Sequence, residues 1–193
     1  MPIFAFAGSS STGKTTLARM LSEELRCGLA SFGDYVREQA KIRGIISPTG
    51  RDLQNLGQRL VDDDIQEFCR AVLARANFAP GALLVVDGIR HVEALAAIST
   101  LSHGQPIRLI YLETTAEVRT MRESGRTSNA AGGTSDAHQV EKQTTREVRQ
   151  VANLVVDSSD EVSDTFRKIL DWIRSDFPQL FGLNASNQYR KKV

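Results

Sequence analysis

The chain has 193 residues, of which 41% are hydrophobic and 24% charged, and its formal net charge at pH 7 is +1. This length suffices for one α/β domain with a buried core, and the composition is that of an ordinary globular protein. A net charge so close to zero produces no broad positive field. We therefore expect neither a nucleic acid nor a membrane as a partner.

The first apolar run, residues 2–7, is too short for a membrane span and lacks the basic flank of a signal sequence. We expect a cytoplasmic protein and assign this run to a first strand. Other apolar runs predict four more strands, the last with its following turn, at residues 29–34, 82–88, 107–113 and 153–160.

Apolar residues spaced by threes and fours predict the helices. These helices cover residues 15–25, a segment from about 35, a long stretch after the start signals at 47–49, a segment around Val118 and Met121, and residues 162–173. Strands that alternate with helices predict an α/β fold, a doubly wound parallel five-stranded sheet with helices on both faces. Ligands of such sheets bind at the carboxyl ends of the strands, where Gly8, Asp34, Asp87 and Glu113 fall.

The segment between the first strand and the first helix matches the phosphate-binding motif G-x-x-x-x-G-K-[ST]. Its amide groups and the positive end of the following helix surround phosphate oxygens. Lys14 is predicted to reach the β- and γ-phosphates of ATP, and the Thr15 hydroxyl to bind Mg²⁺. The predicted ATP-binding residues of this loop are Gly8, Ser9, Ser10, Ser11, Thr12, Gly13, Lys14, Thr15 and Thr16.

The third predicted strand favours phosphoryl transfer over hydrolysis. Asp87 ends its apolar run, where a carboxylate suits Mg²⁺, but Gly88 follows where many ATPases have a glutamate as the base for water. The N-K-x-D string of a GTPase switch does not occur in the sequence. A transferase needs instead a second pocket with cations for the acceptor.

Three residues are candidates for that second pocket. Asp34 and Arg37 lie three apart at the start of the second helix, and Arg90 follows Asp87 closely. Each has a structural alternative, which is a helix N-cap for Asp34, an exposed helix face for Arg37 and a surface loop for Arg90.

A basic helix face precedes a glycine-rich loop at residues 129–137. Arg119, Arg122 and Arg126 step by three and four, which favours a lid that closes over phosphates and excludes water. The carboxylates of residues 62–64 point in different directions on a helix, so we assign them to a solvated face and not to a metal site. His138 and Glu141 are assigned to the surface, with a substrate contact as the alternative.

The segments "SFGDYVRE" and "LLVVDGIR" resemble those of nucleoside-monophosphate-kinase-like P-loop kinases. The resemblance implies that Arg37 and Arg90 hold the acceptor phosphate. It also implies that Arg122 and Arg126 flank the lid and contact the ATP base and phosphates, and that the loop around Ser158 packs on the adenine. The region around "GRDLQNLGQRL" is similar to prokaryotic kinases grouped with dephospho-CoA kinases and nucleotide kinases.

The expected protein is thus a single kinase domain over residues 1–193. Its core comprises residues 1–31, 78–123 and 144–180, its acceptor-binding helical region 32–77 and its lid 124–143. It would transfer the γ-phosphate of ATP·Mg²⁺ to a nucleoside monophosphate or, second, to dephospho-CoA. The expected catalytic residues are Lys14, Asp34, Arg122 and Arg126. The alternative from another class is an ATP-binding regulatory protein that hydrolyses ATP slowly.

Overall fold

The computed structural model describes residues 1–124 and 146–182, and it is built on a five-stranded parallel sheet. The strand order is β2-β3-β1-β4-β5, with every neighbouring pair parallel. This confirms the predicted fold class. The strands are β1 Ile3–Gly8, β2 Gly28–Ser31, β3 Leu84–Ile89, β4 Ile107–Glu113 and β5 Leu154–Asp157.

Helices follow the strands along the chain. The longer ones in the described residues are α1 Lys14–Leu25, α2 Phe32–Ile42, α3 Gly50–Arg75, α4 Val92–Leu101, α5 Ala116–Ser124 and α6 Val162–Asp176. Helix α4 is not among the predicted helices, because its sequence VEALAAISTL is mostly apolar and has only a weak helical period.

The helices cover both faces of the sheet, which explains why the central strand is apolar throughout. On β1, Ile3, Ala5 and Ala7 face one core that contains α2, α3 and α4. Phe4 and Phe6 face the other core, against α1 and α6. All five side chains are fully buried.

The long helix α3 begins where the sequence predicts, with a capping box between Thr49 and Asp52. It is kinked at Asp64, whose φ and ψ are −166° and 98°. The Asp64 carboxylate accepts a hydrogen bond from the backbone N–H of Glu67, 2.9 Å away, and so caps the second part of the helix. Residues 62–64 are exposed as predicted, and the described residues contain no group of histidine, cysteine and acidic side chains suited to a metal ion.

Within the described ranges, none of the helices combines the length and the apolar character needed to cross a membrane.

Candidate active site

The phosphate loop connects the end of β1 to the start of α1, and its two glycines are required by its geometry. Gly8 has φ 133°, and a Cβ there would lie 2.1 Å from the carbonyl oxygen of Leu112 on β4. Gly13 has φ 87° and is the N-cap of α1 without a side-chain cap. The first amides of α1 therefore point into the loop, as an anion-binding helix terminus requires.

Lys14 is held across this loop by Ser9 and Thr12. Its Nζ donates to the carbonyl oxygen of Ser9 and, over 3.4 Å, to Oγ1 of Thr12. The Thr12 hydroxyl in turn donates to the carbonyl oxygen of Ser9 at 3.0 Å, and Thr12 is only 1% exposed. Ser11 is also buried, whereas Ser10 and Thr16 are exposed. The inner residues of the loop are thus buried and hydrogen-bonded, whereas its outer residues are exposed to solvent.

Thr15 and Asp87, the predicted Mg²⁺ pair, are in direct contact. The Thr15 hydroxyl donates to Oδ2 of Asp87 at 2.8 Å, and the Ser31 hydroxyl donates to the same oxygen at 3.4 Å. Asp87 is 3% exposed, and burial raises the pKa of its carboxyl although the hydrogen bond from Thr15 and the charge of Lys14 oppose the rise. Its other oxygen, Oδ1, is buried and has no hydrogen-bond partner among the described residues. A buried carboxylate oxygen beside a hydroxyl is a donor set that suits a hard cation such as Mg²⁺.

The structure corrects the bounds predicted around Asp34. Strand β2 ends at Ser31 and α2 begins at Phe32, so residues 32–34 are helical and not extended. The N-cap is Ser31, whose hydroxyl accepts from the backbone N–H of Asp34 at 3.2 Å. The alternative that Asp34 is the N-cap is therefore wrong, and its carboxylate is available for other contacts.

Two arginines lie beside that carboxylate. Oδ1 of Asp34 lies 2.6 Å from a guanidinium nitrogen of Arg37, and Oδ2 lies 3.9 Å from one of Arg19 on α1. Burial raises the pKa of Asp34, but the hydrogen bonds from Arg37 and Ser31 and the charges of Arg37 and Arg19 outweigh it and leave the pKa below its usual value. Asp34 is thus ionised and paired.

Two further arginines, Arg90 and Arg19, lie near this edge of the sheet. Arg90 follows β3 directly and is exposed. Arg19 is not among the predicted site residues, although its position one helical turn after Thr15 is a signal that could identify it.

A second group of contacts holds the loop after β5. A guanidinium nitrogen of Arg122 donates to the carbonyl oxygens of Ser158 at 2.8 Å and of Asp160 at 3.3 Å. The Ser158 hydroxyl and backbone N–H both donate to the carbonyl oxygen of Glu113, at 2.9 and 2.8 Å. The Glu113 carboxylate pairs with Arg149 at 2.9 Å. The loop predicted to pack on adenine is therefore tied to β4 and α5, and the Ser158 side chain is used within the fold.

The predicted lid lies almost entirely outside the described residues. Residues 125–145 include Arg126, His138 and Glu141, so their predicted roles stay predictions.

The fold and the phosphate loop define a P-loop nucleotide-binding protein of the nucleoside-monophosphate-kinase-like type. This confirms the predicted P-loop fold class. The family model of the AAA domain, AAA_17, matches residues 7–141, and the chain belongs to that family.

Solved structures of kinases share the fold. A gluconokinase from Sinorhizobium meliloti 1021 is 17% identical with a TM-score of 0.58, and the match covers 100% of this chain and 98% of that one. A shikimate kinase from Aquifex aeolicus is 15% identical with a TM-score of 0.59, over 91% and 98% of the two chains. A sugar kinase from Janibacter sp. HTCC2649 is 18% identical with a TM-score of 0.57, over 93% and 96%.

A curated relative also matches part of the chain. A UPF0200 protein from Aeropyrum pernix is 33% identical over 91 residues, which are 47% of this chain and 48% of the relative. The match thus spans about half the length of that protein.

Proposed function

We propose that the protein is a kinase that transfers the γ-phosphate of ATP·Mg²⁺ to a small-molecule acceptor bound beside Asp34. The observation that carries this proposal is the position of Ser31. Its hydroxyl contacts Oδ2 of Asp87 and accepts from the N–H of Asp34. Ser31 thus places the predicted Mg²⁺ ligand Asp87 and the carboxylate of Asp34 close together, and the transfer of a group between two bound molecules depends on such proximity.

The residues have distinct roles in this proposal. The amides of the phosphate loop and Lys14 bind the ATP phosphates, and Arg122 with the loop after β5 faces the base. Thr15 and Asp87 would hold Mg²⁺, which when bound neutralises charge on the phosphate oxygens. Arg90 and, in the lid, Arg126 are proposed to bind the acceptor and the transferring group, while Arg37 pairs with Asp34.

The ionised state of Asp34 favours an acceptor whose reacting oxygen is a hydroxyl. A carboxylate accepts a hydrogen bond from a hydroxyl and orients it for attack, whereas it repels the oxygens of a phosphate acceptor. A hydroxy acid, a sugar or dephospho-CoA meets this condition, and so the gluconokinase, shikimate kinase and sugar kinase that share the fold support the same class. A nucleoside monophosphate remains the nucleotide alternative. A cytoplasmic location stays a prediction.

The test is ADP release from ATP·Mg²⁺ with gluconate, shikimate, dephospho-CoA and nucleoside monophosphates, each added separately. Lys14→Ala serves as the blank, and Lys41→Ala, at an exposed position near the end of α2, as the matched control. Release stimulated by one acceptor, retained in Lys41→Ala and lost in Lys14→Ala, would support the kinase and identify its substrate. Slow release that no acceptor changes would contradict it and support the ATP-binding regulatory protein.

A further inference from the structure

Three charged side chains from two helices meet beside the phosphate loop. We call Arg19, Asp34 and Arg37 the acceptor-side triad. Arg37 lies 2.6 Å from one oxygen of Asp34, within hydrogen-bond distance, whereas Arg19 lies 3.9 Å from the other. Arg37 is thus bound to the carboxylate, and Arg19 only approaches it.

The triad lies on the opposite side of the phosphate loop from the loop that Arg122 holds. That loop follows β5 at one edge of the sheet, and Asp34 follows β2 at the other edge. Arg19 is four residues after Thr15 on α1, so both side chains lie on the same helix face. Helix α1 contacts β3 and β2, which brings this face towards Asp34. The triad therefore borders the metal pair on the acceptor side.

The charges of the triad do not balance. Two guanidiniums share one carboxylate, and the side chains of Arg19, Asp34 and Arg37 are 57%, 43% and 50% exposed. An exposed ion pair at 3.9 Å contributes little to stability, so the fold itself does not need Arg19 at this position. A guanidinium next to a carboxylate that another arginine already neutralises is suited to bind a second anion.

We propose that Arg19 binds an anionic group of the acceptor, while Arg37 holds Asp34 for the reacting hydroxyl. This inference rests on the proposed kinase function and deepens it. The acceptor is then a small molecule that carries both a hydroxyl and a carboxylate or phosphate. The role of Arg37 differs here from the one implied by the sequence resemblance, in which Arg37 itself holds the anion.

The experiment compares Arg19→Gln and Arg19→Lys with the wild type, using the same acceptor panel. Gluconate and shikimate test the carboxylate, and dephospho-CoA and nucleoside monophosphates test the phosphate. Arg167→Gln is the matched control, because Arg167 forms an exposed pair with Asp164 at 2.8 Å on α6. We expect Arg19→Gln to raise the KM of the acceptor roughly 10- to 100-fold, with the KM of ATP, kcat and the Tm unchanged. Arg19→Lys should recover part of the loss, and Arg167→Gln should behave as the wild type.

An acceptor KM that Arg19→Gln leaves unchanged, or raises no more than Arg167→Gln does, would overturn the inference. A fall in kcat with no change in acceptor KM would also overturn it.

If the wild type releases no ADP with any acceptor, the proposed function fails and equilibrium binding decides the inference separately. Ligand-observed NMR would then measure the binding of shikimate, gluconate, AMP and dephospho-CoA to the wild type and to Arg19→Gln. Binding lost only in Arg19→Gln would support an anion site at Arg19. Equal binding, or none to either protein, would overturn it.

Discussion

The two sides of the candidate site are held together by different kinds of interaction. On the nucleotide side, the phosphate loop relies on backbone and on buried polar groups, with Thr12 and Asp87 almost fully enclosed and Gly8 packed against the backbone of β4. On the acceptor side, the contacts are ion pairs between half-exposed side chains of Arg19, Asp34 and Arg37.

This difference implies a difference in tolerance to substitution. A buried group cannot be changed without a cavity, a clash or an unpaired polar atom, each of which costs stability. Exposed ion pairs contribute little to stability and can be exchanged. In the proposed kinase, the fold could therefore keep one nucleotide site and change its acceptor at a low cost in stability, so substitutions on the two sides should have unequal effects.

The largest effect is expected for Gly8→Ala. The new Cβ would meet the Leu112 carbonyl oxygen at 2.1 Å, in addition to the strain of φ 133°. We expect a loss of roughly 3–5 kcal/mol in the free energy of unfolding, together with loss of ATP binding.

The control variant Gly104→Ala separates backbone strain from steric clash, because Gly104 has φ 76° and nothing within 4 Å of the added Cβ. It should lose only about 1–2 kcal/mol in urea denaturation. Equal losses in the two variants would contradict the packing argument.

Asp87→Asn should weaken Mg²⁺ binding without lowering the free energy of unfolding at neutral pH. The amide oxygen can still accept from Thr15, but the variant should bind Mg²⁺ about 10- to 100-fold more weakly in the presence of ATP. Burial raises the pKa of Asp87 in the folded state. The wild type therefore has the whole stabilisation from this carboxyl at a pH below its pKa in the unfolded chain, and loses it as the pH rises through its pKa in the folded protein.

Urea denaturation between pH 4 and 7 would therefore show Asp87→Asn gaining on the wild type as the pH rises. Asp171→Asn, at an exposed pair with Arg174, should show no such gain. An advantage of the variant that shrinks with rising pH would count against a costly buried carboxylate.

Thr12→Val is expected to have an intermediate effect. Valine has a similar shape but lacks the hydroxyl that donates a hydrogen bond to the carbonyl oxygen of Ser9 and accepts one from Lys14. We expect about 10-fold weaker ATP binding by calorimetry, since hydrogen bonds to charged groups are stronger than neutral ones. Thr12→Ser keeps the hydroxyl and should restore most of the affinity. Weak binding in both variants would mean that packing, and not the hydroxyl, is what the position requires.

The smallest effect is expected on the acceptor side, for Arg37→Gln. The hydrogen bond and charge of Arg37 lower the pKa of Asp34, so the variant should show a higher pKa for this carboxyl in an NMR titration. The stability that the lowered pKa supplies is present above the unfolded pKa and is lost as pH falls through the folded pKa. Wild type and variant should thus converge in stability at low pH. An unchanged Asp34 pKa would show that Arg37 does not hold the carboxylate.

The sequence predicts the strand, loop and helix around Lys14 well, because the signals for them are local. The strand, glycine loop and helix around Lys14 are contiguous, and the predicted strand 107–113 matches β4 in full. The pairing of Thr15 with Asp87 follows from parallel strands that end at one edge of the sheet.

The sequence predicts the element bounds around Asp34 less well, because they depend on tertiary contacts. Phe32 resembles a strand residue in sequence, but in the structure it is helical and packs edge-to-face on Phe68 of α3, with ring centroids 5.0 Å apart. Arg19 approaches Asp34 from another helix, and no local pattern links the two residues. Helix α4 is not predicted because most of its residues are apolar and its polar residues, Glu93, Ser99 and Thr100, lie near its two ends.

The two contacts of Ser31 have a thermodynamic consequence. Its hydroxyl caps α2 at Asp34 and also touches Asp87, so a ligand that reorients this hydroxyl at one end changes the other. In the proposed kinase, linkage would then demand reciprocity: bound metal–nucleotide would raise the affinity for the acceptor by the same factor by which bound acceptor raises the affinity for metal–nucleotide. Whichever molecule binds first, the total free energy of the ternary complex is the same, and the order of addition alters only the rate at which it forms.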